Sequence, residues 1–435
     1  MTYQETLTYL YNSAPLFQHV GKDAYKEGLE NTHLLDAHFG HPHLQFKTIH
    51  VGGTNGKGSC SHTLAAILQS AGYKVGLYTS PHLVDFRERI RINGTPISEE
   101  EVIRFVADER HFFEPLHPSF FELCTAMAFN YFAKQNVDVA IIEVGLGGRL
   151  DCTNIIRPDL SIITNISFDH VQFLGDTLGK IASEKAGIIK MNTPIIIGET
   201  HPETRPVFVE EALKKEAPIH FAEEEIQITH TDPTPEGKVI YQTNKYDNLI
   251  GELGGFCQIH NTKTILCAVQ QLQKLGYSIQ ESDIRKGFDQ VCALTGLMGR
   301  WQKMRQNPSL ICDTGHNTGG IKYIVEQLSN ISYNRLHMVI GMVNDKDIRG
   351  VLSMLPKHAI YYFTKASVSR ALNENDLHQL AQEFDLNGTI HTDVKSATIS
   401  ALRYADKNDL IFVGGSSFIV ADFLTDSNII LKSNP

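Results

Sequence analysis

The sequence predicts a two-domain α/β protein. Its large N-terminal domain is built on a mostly parallel sheet with a P-loop-type turn and a small antiparallel edge piece, and a smaller C-terminal α/β domain follows. Three observations predict this. Apolar runs of strand length alternate with helical segments, the pattern of a parallel sheet covered on both faces. A glycine-rich turn joins the first such run to the first strong helix. The 435 residues exceed what one ordinary core supports.

Taken in order, residues 1–45 open with Tyr3, Leu7, Tyr9, Leu10 and Leu16 at helical spacing. A stretch with His33, His38, His41 and His43 follows and reads as a solvated connector, because Gly40 and Pro42 break any face that could gather metal ligands. Phe46 to Val51 reads as a buried strand. Ser59 to Ala71 reads as a helix, with Leu64, Ala65, Leu68 and Ala71 on one face and Gly72 as its stop. Lys74 to Tyr78 is a second strand, cut off by Pro81. Helices follow at Glu99 to Phe113 and Phe120 to Lys134, with Ser98 and Ser119 as N-caps. Val137 to Val144 and Leu160 to Ile166 are further buried strands, and Ile181 to Lys190 reads as a helix with Lys185 in its middle. Residues 219–251 alternate apolar and polar groups, the signature of antiparallel strands. After a helix at Gln258 to Leu275, Gly296, Met298 and Gly299 mark a boundary, placing one domain at residues 1–296 and the other at 297–435. Beyond it Leu310 to Cys312, His337 to Gly341, Ala359 to Phe363 and Leu410 to Val413 are short strands between helices.

Composition narrows the function. A net charge of -10 argues against a nucleic-acid binder, so an anionic ligand must be held by local groups. No apolar run reaches membrane-span length, and Met1 to Leu10 has no basic flank or signal core, which reads as cytoplasmic. The seven cysteines are scattered without a C-x-x-C pair, as expected of reduced thiols, neither a disulfide framework nor a zinc site.

The chemistry gathers at strand ends. Four of the seven residues from Gly52 to Gly58 are glycine, between a strand and a helix start, which makes a phosphate cradle. Backbone N–H groups face the polyphosphate, Lys57 reaches its terminal phosphates, and the Ser59 hydroxyl can help hold Mg²⁺. The spacing departs from G-x-x-x-x-G-K-[ST]: Val51 stands at the first glycine and Gly58 follows Lys57. Thr79-Ser80, Glu143 with the run Gly145 to Asp151, and Asp169-His170 also stand at strand ends, where ligands gather in open α/β sheets. Glu143 closes an apolar strand, so it reads as a metal ligand or as a solvent-facing carboxylate opening a loop. A dinucleotide fingerprint fails, because G-x-G-x-x-G needs glycine where Leu150 sits.

The run Gly53-Thr-Asn-Gly-Lys-Gly-Ser59 resembles the nucleotide loop of the folylpolyglutamate and dihydrofolate synthases, relatives of the bacterial Mur ligases. Gly28 to Asn31 and His41 to Leu44 resemble the family's lead-in to that loop. The resemblance implies ATP contacts at Gly53, Thr54, Asn55, Gly56, Lys57, Gly58 and Ser59, and farther on at Asn261, Arg300, Asp313 and His316. It implies metal ligands at Ser59, Ser80, Glu143 and His170. Lys185 in its Lys-Ala-Gly-Ile context resembles the lysine that is carbamylated in the superfamily, supplying a carboxylate to a second Mg²⁺. Lys57, His170, Lys185 and Arg300 would then carry catalysis. Phe120, Phe121, Glu122, Leu150, Asp151 and Cys152 align with segments that contact the pterin, although Phe120 and Phe121 read equally as core. Gly341 to Asp347 resembles a loop of the second domain. Gly315 and Thr318 depart from the family's usual Ala and Pro.

The implied activity is an ATP-dependent ligase: ATP phosphorylates the carboxylate of dihydropteroate or a reduced folate, and the amine of L-glutamate displaces phosphate from the acyl phosphate. Two Mg²⁺ ions and a monomer go with it. A Mur-type ligase for another acceptor is the alternative within the chemistry, with only about 45 residues before the first strand to hold its substrate domain. A nucleotide-binding regulatory protein without turnover is the alternative outside it.

Overall fold

A computed structural model of the chain describes residues 1–13, 28–234, 236–344 and 346–432; Leu16, and Asp345 within the run Gly341 to Asp347, lie outside them. The chain forms two units, residues 1–252 with 258–297, and residues 253–257 with 298–435.

In the first unit, β1 (Lys47–Gly52) lies between β5 (Val139–Glu143) and β6 (Leu160–Ile163), parallel to both. The sheet continues past β5 to β2 (Val75–Tyr78), β3 (Ile90–Ile92) and β4 (Thr95–Pro96), and past β6 to β7 (Ile195–Ile197) and β8 (Ile219–Phe221). Only β3 runs against the others, pairing antiparallel with both β2 and β4. Their hairpin turns on Asn93-Gly94, both at positive φ, the dipeptide that suits a tight two-residue turn. The chain leaves β1 toward one side of the sheet and later crosses to the other, so a crevice opens at the carboxyl end of β1. Val51 pairs with Glu143 at that end, so the glycine turn and this carboxylate leave the sheet at the same level.

Helices cover both faces. The helix Lys57–Ser70 is buried along most of its length, with Leu64, Ile67 and Leu68 in one core shared with Ile265 and Leu266. The helix Phe120–Lys134 fills the other face with Phe129 and Phe132. It starts at Ser119 through a capping box: the Ser119 amide donates to Glu122 Oε2 at 2.6 Å and the Glu122 amide donates to Ser119 Oγ at 3.2 Å. Ser98 caps Glu99–Phe113 in the same way from one side.

Three sequence expectations change, and one strand went unread. Residues 219–251 are not one antiparallel piece: β8 is the parallel edge of the large sheet, and β9 (Ile228–Pro233), β10 (Val239–Thr243) and β11 (Leu249–Gly251) form the separate antiparallel sheet. Three residues are too few for β8 to display a period. The helix around Lys185 is Leu178–Ala186, so this lysine stands in the last turn, before Gly187. The histidine stretch is no solvated connector. It contains the helix Glu30–His38, and the side chains of His41 and His43 clasp buried Asp36 at 2.7 and 2.6 Å. His38 lies flat on Phe112, its ring centroid 3.6 Å away. The turn at Gly40 and Pro42 brings these groups together instead of separating them. Finally, β7 was hidden in Ile195 to Ile197, three residues with no flanking periodicity.

The second unit is a six-stranded sheet, β12 (Gln302–Arg305), β13 (Ser309–Cys312), β17 (Leu410–Gly414), β14 (Leu336–Ile340), β15 (Ile360–Phe363) and β16 (Gly388–Ile390) in spatial order. Only β12 is antiparallel. Among the described residues no helix is long and apolar enough to cross a membrane.

Candidate active site

The glycine turn after β1 is shaped by groups from distant parts of the first unit. Gly53 has φ +132° and Gly56 φ +82°, conformations that suit glycine, and a Cβ at either would strike Thr164 or Asn261. Thr164 Oγ1 donates to the Asn55 carbonyl at 2.6 Å. The amides of Thr54 and Asn55 donate to the carbonyl and side-chain oxygen of Asn165, both at 2.9 Å. This corrects one expectation: these two N–H groups face Asn165, and the donors aimed out of the turn are the first-turn amides of the helix that Lys57, Gly58 and Ser59 begin. Asn261 supports that helix start, its amide donating to Gln258 Oε1 at 2.9 Å while Gln258 Nε2 donates to Ser59 Oγ at 3.3 Å.

Two lysines converge on one oxygen. Lys57 Nζ donates to the carbonyls of Gly53 and Thr54 at 3.1 and 3.0 Å, and Lys185 Nζ donates to the same Gly53 carbonyl at 2.9 Å. Lys185 is buried, and burial, reinforced by the Lys57 charge, pulls its pKa down to about 7; Asp169 and Asp151 oppose the shift. Burial therefore favours the neutral amine over the ammonium at this position.

Glu143 is buried where β5 ends, and its Oε2 accepts the Ser80 amide at 3.2 Å, which brings Ser80 to the carboxylate. His170 follows β6 on the loop that carries Ser167, to which Thr54 and Asn55 bond. Its φ of +49° is uncommon outside glycine, and backbone strain of this kind concentrates at functional positions. Among the described residues no three His, Cys, Asp or Glu side chains gather as a ready metal site; buried Glu143 and Ser80 supply the oxygen donor types that Mg²⁺ takes.

The pterin assignments divide. Phe120 is core, buried against Phe86 and Tyr11. Phe121 is half-buried, stacked on Tyr78 with Gly145 against its ring, so it alone of the pair retains exposed ring surface. Glu122 is committed to the capping box described above. The Asp151 carboxylate accepts the amides of Gly145, Leu146 and Thr153 at 3.0, 2.8 and 3.0 Å, and the Thr153 hydroxyl. It organises its own loop. Leu150 is half-buried at the end of that loop. Burial and the Asp151 charge push the Cys152 thiol up, which makes it a poor nucleophile.

In the second unit Arg300, Asp313 and His316 form one cluster. Asp313 accepts the Trp301 amide at 2.7 Å and the Gly315 amide at 2.8 Å. Arg300 Nη1 donates to Thr314 Oγ1, and His316 Nδ1 lies 3.0 Å from the Thr314 carbonyl. Burial raises the Asp313 carboxyl, and the Arg300 charge opposes it. Trp301 has φ +46°, a second strained position beside a candidate residue. Thr318 opens the next helix at its first position, the place where proline also fits.

The Mur ligase middle domain family matches residues 51–245, and the Mur ligase glutamate ligase domain family matches residues 299–417. A dihydrofolate synthase/folylpolyglutamate synthase of Bacillus subtilis (strain 168) is 32% identical over 415 residues, 92% of this chain and 95% of that protein. This chain belongs to the dihydrofolate synthase/folylpolyglutamate synthase family. Among solved structures, E. coli FolC in complex with DHPP and ADP is similar at a TM-score of 0.86 and 31% identity, covering 99% of this chain and 98% of that one. A bifunctional folylpolyglutamate synthase/dihydrofolate synthase with Mn, AMPPNP and L-glutamate bound is similar at 0.83 and 29%, with coverages of 99% and 98%. ATP-dependent amide formation, read from the motifs, is the activity of this chain.

In this synthase-family chain the residues missed by sequence reasoning are supports. Thr164 and Asn165 shape the nucleotide turn, and Gln258 links Ser59 to Asn261. Thr164 and Asn165 stood in view at the end of β6, in the run from which only Asp169 and His170 were singled out. Their signal was a pair of hydrogen-bonding side chains closing a buried strand.

Proposed function

We propose that this ligase adds L-glutamate to dihydropteroate and to reduced folates, with residues 1–296 as the ATP-binding domain and 297–435 as the C-terminal domain. The observation that carries the reading is the pair of lysines crowded on the Gly53 carbonyl: an anion is the partner that relieves it. Lys57 moves from the carbonyl to the terminal phosphates of ATP, and the first-turn amides at Lys57 to Ser59 receive the phosphate oxygens. Ser59, Ser80, Glu143 and His170 would hold a divalent cation, which would neutralise phosphate charge.

Transfer of the γ-phosphoryl group to the acceptor carboxylate gives an acyl phosphate. The glutamate amine then forms a C–N bond at the carbonyl carbon, the C–O bond to phosphate breaks, and the amine loses a proton. Arg300, with Asp313 orienting its segment through the Trp301 amide, supplies charge to the phosphoryl oxygens; Asn261 and His316 complete the nucleotide contacts. Phe121 stacks on the pterin. Lys185, its pKa lowered by burial, would be carbamylated by CO₂, forming an N–C bond and releasing a proton, and the new carboxylate would serve a second Mg²⁺. The protein acts as a cytoplasmic monomer without nucleic-acid partners.

The decisive experiment measures ADP release with Mg²⁺ and L-glutamate, offering dihydropteroate, tetrahydrofolate or no acceptor. Turnover with both acceptors supports the reading, and acceptor-independent or absent turnover sinks it. Carbamylation is checked with ¹³C-bicarbonate: a carbamate ¹³C signal that disappears in Lys185→Met is expected, and its absence from the parent removes that part.

A further inference from the structure

His50 lies in the middle of β1, fully buried, and the nucleotide turn begins two residues later. Its Nε2 is 2.8 Å from Thr153 Oγ1, on the short helical turn Cys152–Ile155. The Thr153 hydroxyl in turn bonds Asp151 Oδ1. Although burial pushes the Asp151 carboxyl up, both its oxygens act as acceptors, so the hydroxyl proton points to Asp151 and the hydroxyl oxygen accepts from the imidazole. That makes His50 the neutral tautomer with its proton on Nε2. Burial, with the Lys190 charge, holds its pKa down at about 3, in keeping with a neutral ring. Its Nδ1 is buried with no hydrogen-bond partner. A leucine would avoid that cost, so the ring's contribution lies in its single N–H.

The other oxygen of Asp151, Oδ2, takes the amides of Gly145 and Leu146. Gly145 is the residue against the Phe121 ring, and the loop it begins follows Glu143 directly. A chain of hydrogen bonds thus runs from the strand that carries the nucleotide turn to the loop beside the stacking aromatic.

We propose that His50 and Thr153 are positioning residues that fix Asp151, and through it the Gly145–Asp151 loop, in the geometry that receives the pteridine acceptor. Neither touches a substrate. The inference rests on placing the acceptor at Phe121 and this loop.

Thr153→Val removes the hydroxyl at nearly constant volume, and Thr153→Ser restores it. Steady-state kinetics of purified Thr153→Val should show the acceptor KM raised tenfold or more with the ATP KM within twofold of the parent. Thr153→Ser should return the acceptor KM to within about threefold. His50→Leu should reproduce the Thr153→Val pattern, and His50→Gln, which carries an N–H near the same place, should recover most of it. An unchanged acceptor KM in folded Thr153→Val, or equal rises in both KM values, would overturn the proposal.

Should neither deletion variant fold, ¹⁵N-histidine labelling of the parent, assigned by difference with His50→Gln, tests the same claim. A neutral ring protonated at Nε2 from pH 5 to 8 is expected, and protonation at Nδ1 overturns it. Parent protein that turns over neither acceptor would point instead to failure of the functional reading, since the tautomer is independent of it.

Discussion

Two loops leave the large sheet side by side, after β1 and after β5, and they solve opposite electrostatic problems. In the nucleotide turn, two cations share one carbonyl oxygen, and burial, reinforced by the Lys57 charge, lowers the pKa of Lys185. In the Gly145–Asp151 loop, one carboxylate has four donors and needs nothing more. The first is an unbalanced arrangement that an anion completes; the second is preorganised before any ligand arrives. The difference teaches where binding energy is available: a ligand at the first loop relieves repulsion, whereas at the second it meets a finished surface.

The sharpest way to break the comparison is Lys57→Ala. The turnover rate should fall by about 10³-fold, the scale for losing one charge-stabilising group, while the folded state is no less stable because Lys185 loses a like-charged neighbour. A variant that melts well below the parent in calorimetry would show that Lys57 is a structural cation after all.

Next in size is the pH dependence of Lys185. Its folded pKa of about 7 lies below the unfolded value, so between them the unfolded chain binds the extra proton and the parent gains stability as pH rises. Below pH 7 the protein bears the full cost of a buried ammonium. Lys185→Met should therefore be more stable than the parent by a few kcal/mol at pH 6, with the gap closing toward pH 10. Parallel urea-melt curves for the two proteins across that range would refute the shifted lysine.

On the other loop the expected response is reversed. Asp151→Asn leaves the amides of Gly145 and Leu146 facing a group that can satisfy only part of the set, which should cost about 2–3 kcal/mol of stability. The chemical step should slow little if bound acceptor restores the loop. Urea denaturation with single-turnover kinetics separates the two, and unchanged stability would contradict the picture of a self-supporting loop.

The smallest effect belongs to Phe121→Ala, which loses its stacking on Tyr78, about 1 kcal/mol, and should raise the acceptor KM with little change for ATP. An acceptor KM equal to the parent's would remove Phe121 from the site.

Much of this was legible in the chain. The glycine turn, the capping serines Ser98 and Ser119, and the long helices Glu99–Phe113 and Phe120–Lys134 stand where periodicity and capping residues placed them. The aromatic pair shows the limit. Phe120 and Phe121 are neighbours with identical side chains, and only packing against Phe86 and Gly145 separates a core residue from a surface one. The histidines show another: Gly40 and Pro42 did break the helix, but the reversal they cause returns His41 and His43 to Asp36.

The sequence by itself determined the local elements, the glycine positions and the family, because those depend on contacts within a few residues and on motifs of fixed spacing. Only the tertiary structure decided that Lys185 meets Gly53, 132 residues away in the chain, and that His50 meets Thr153, 103 residues away. The physical reason is that charge and hydrogen bonding act through space. A lysine's pKa and a carboxylate's partners are set by whatever the parallel sheet brings to its carboxyl edge, and no local pattern carries that information.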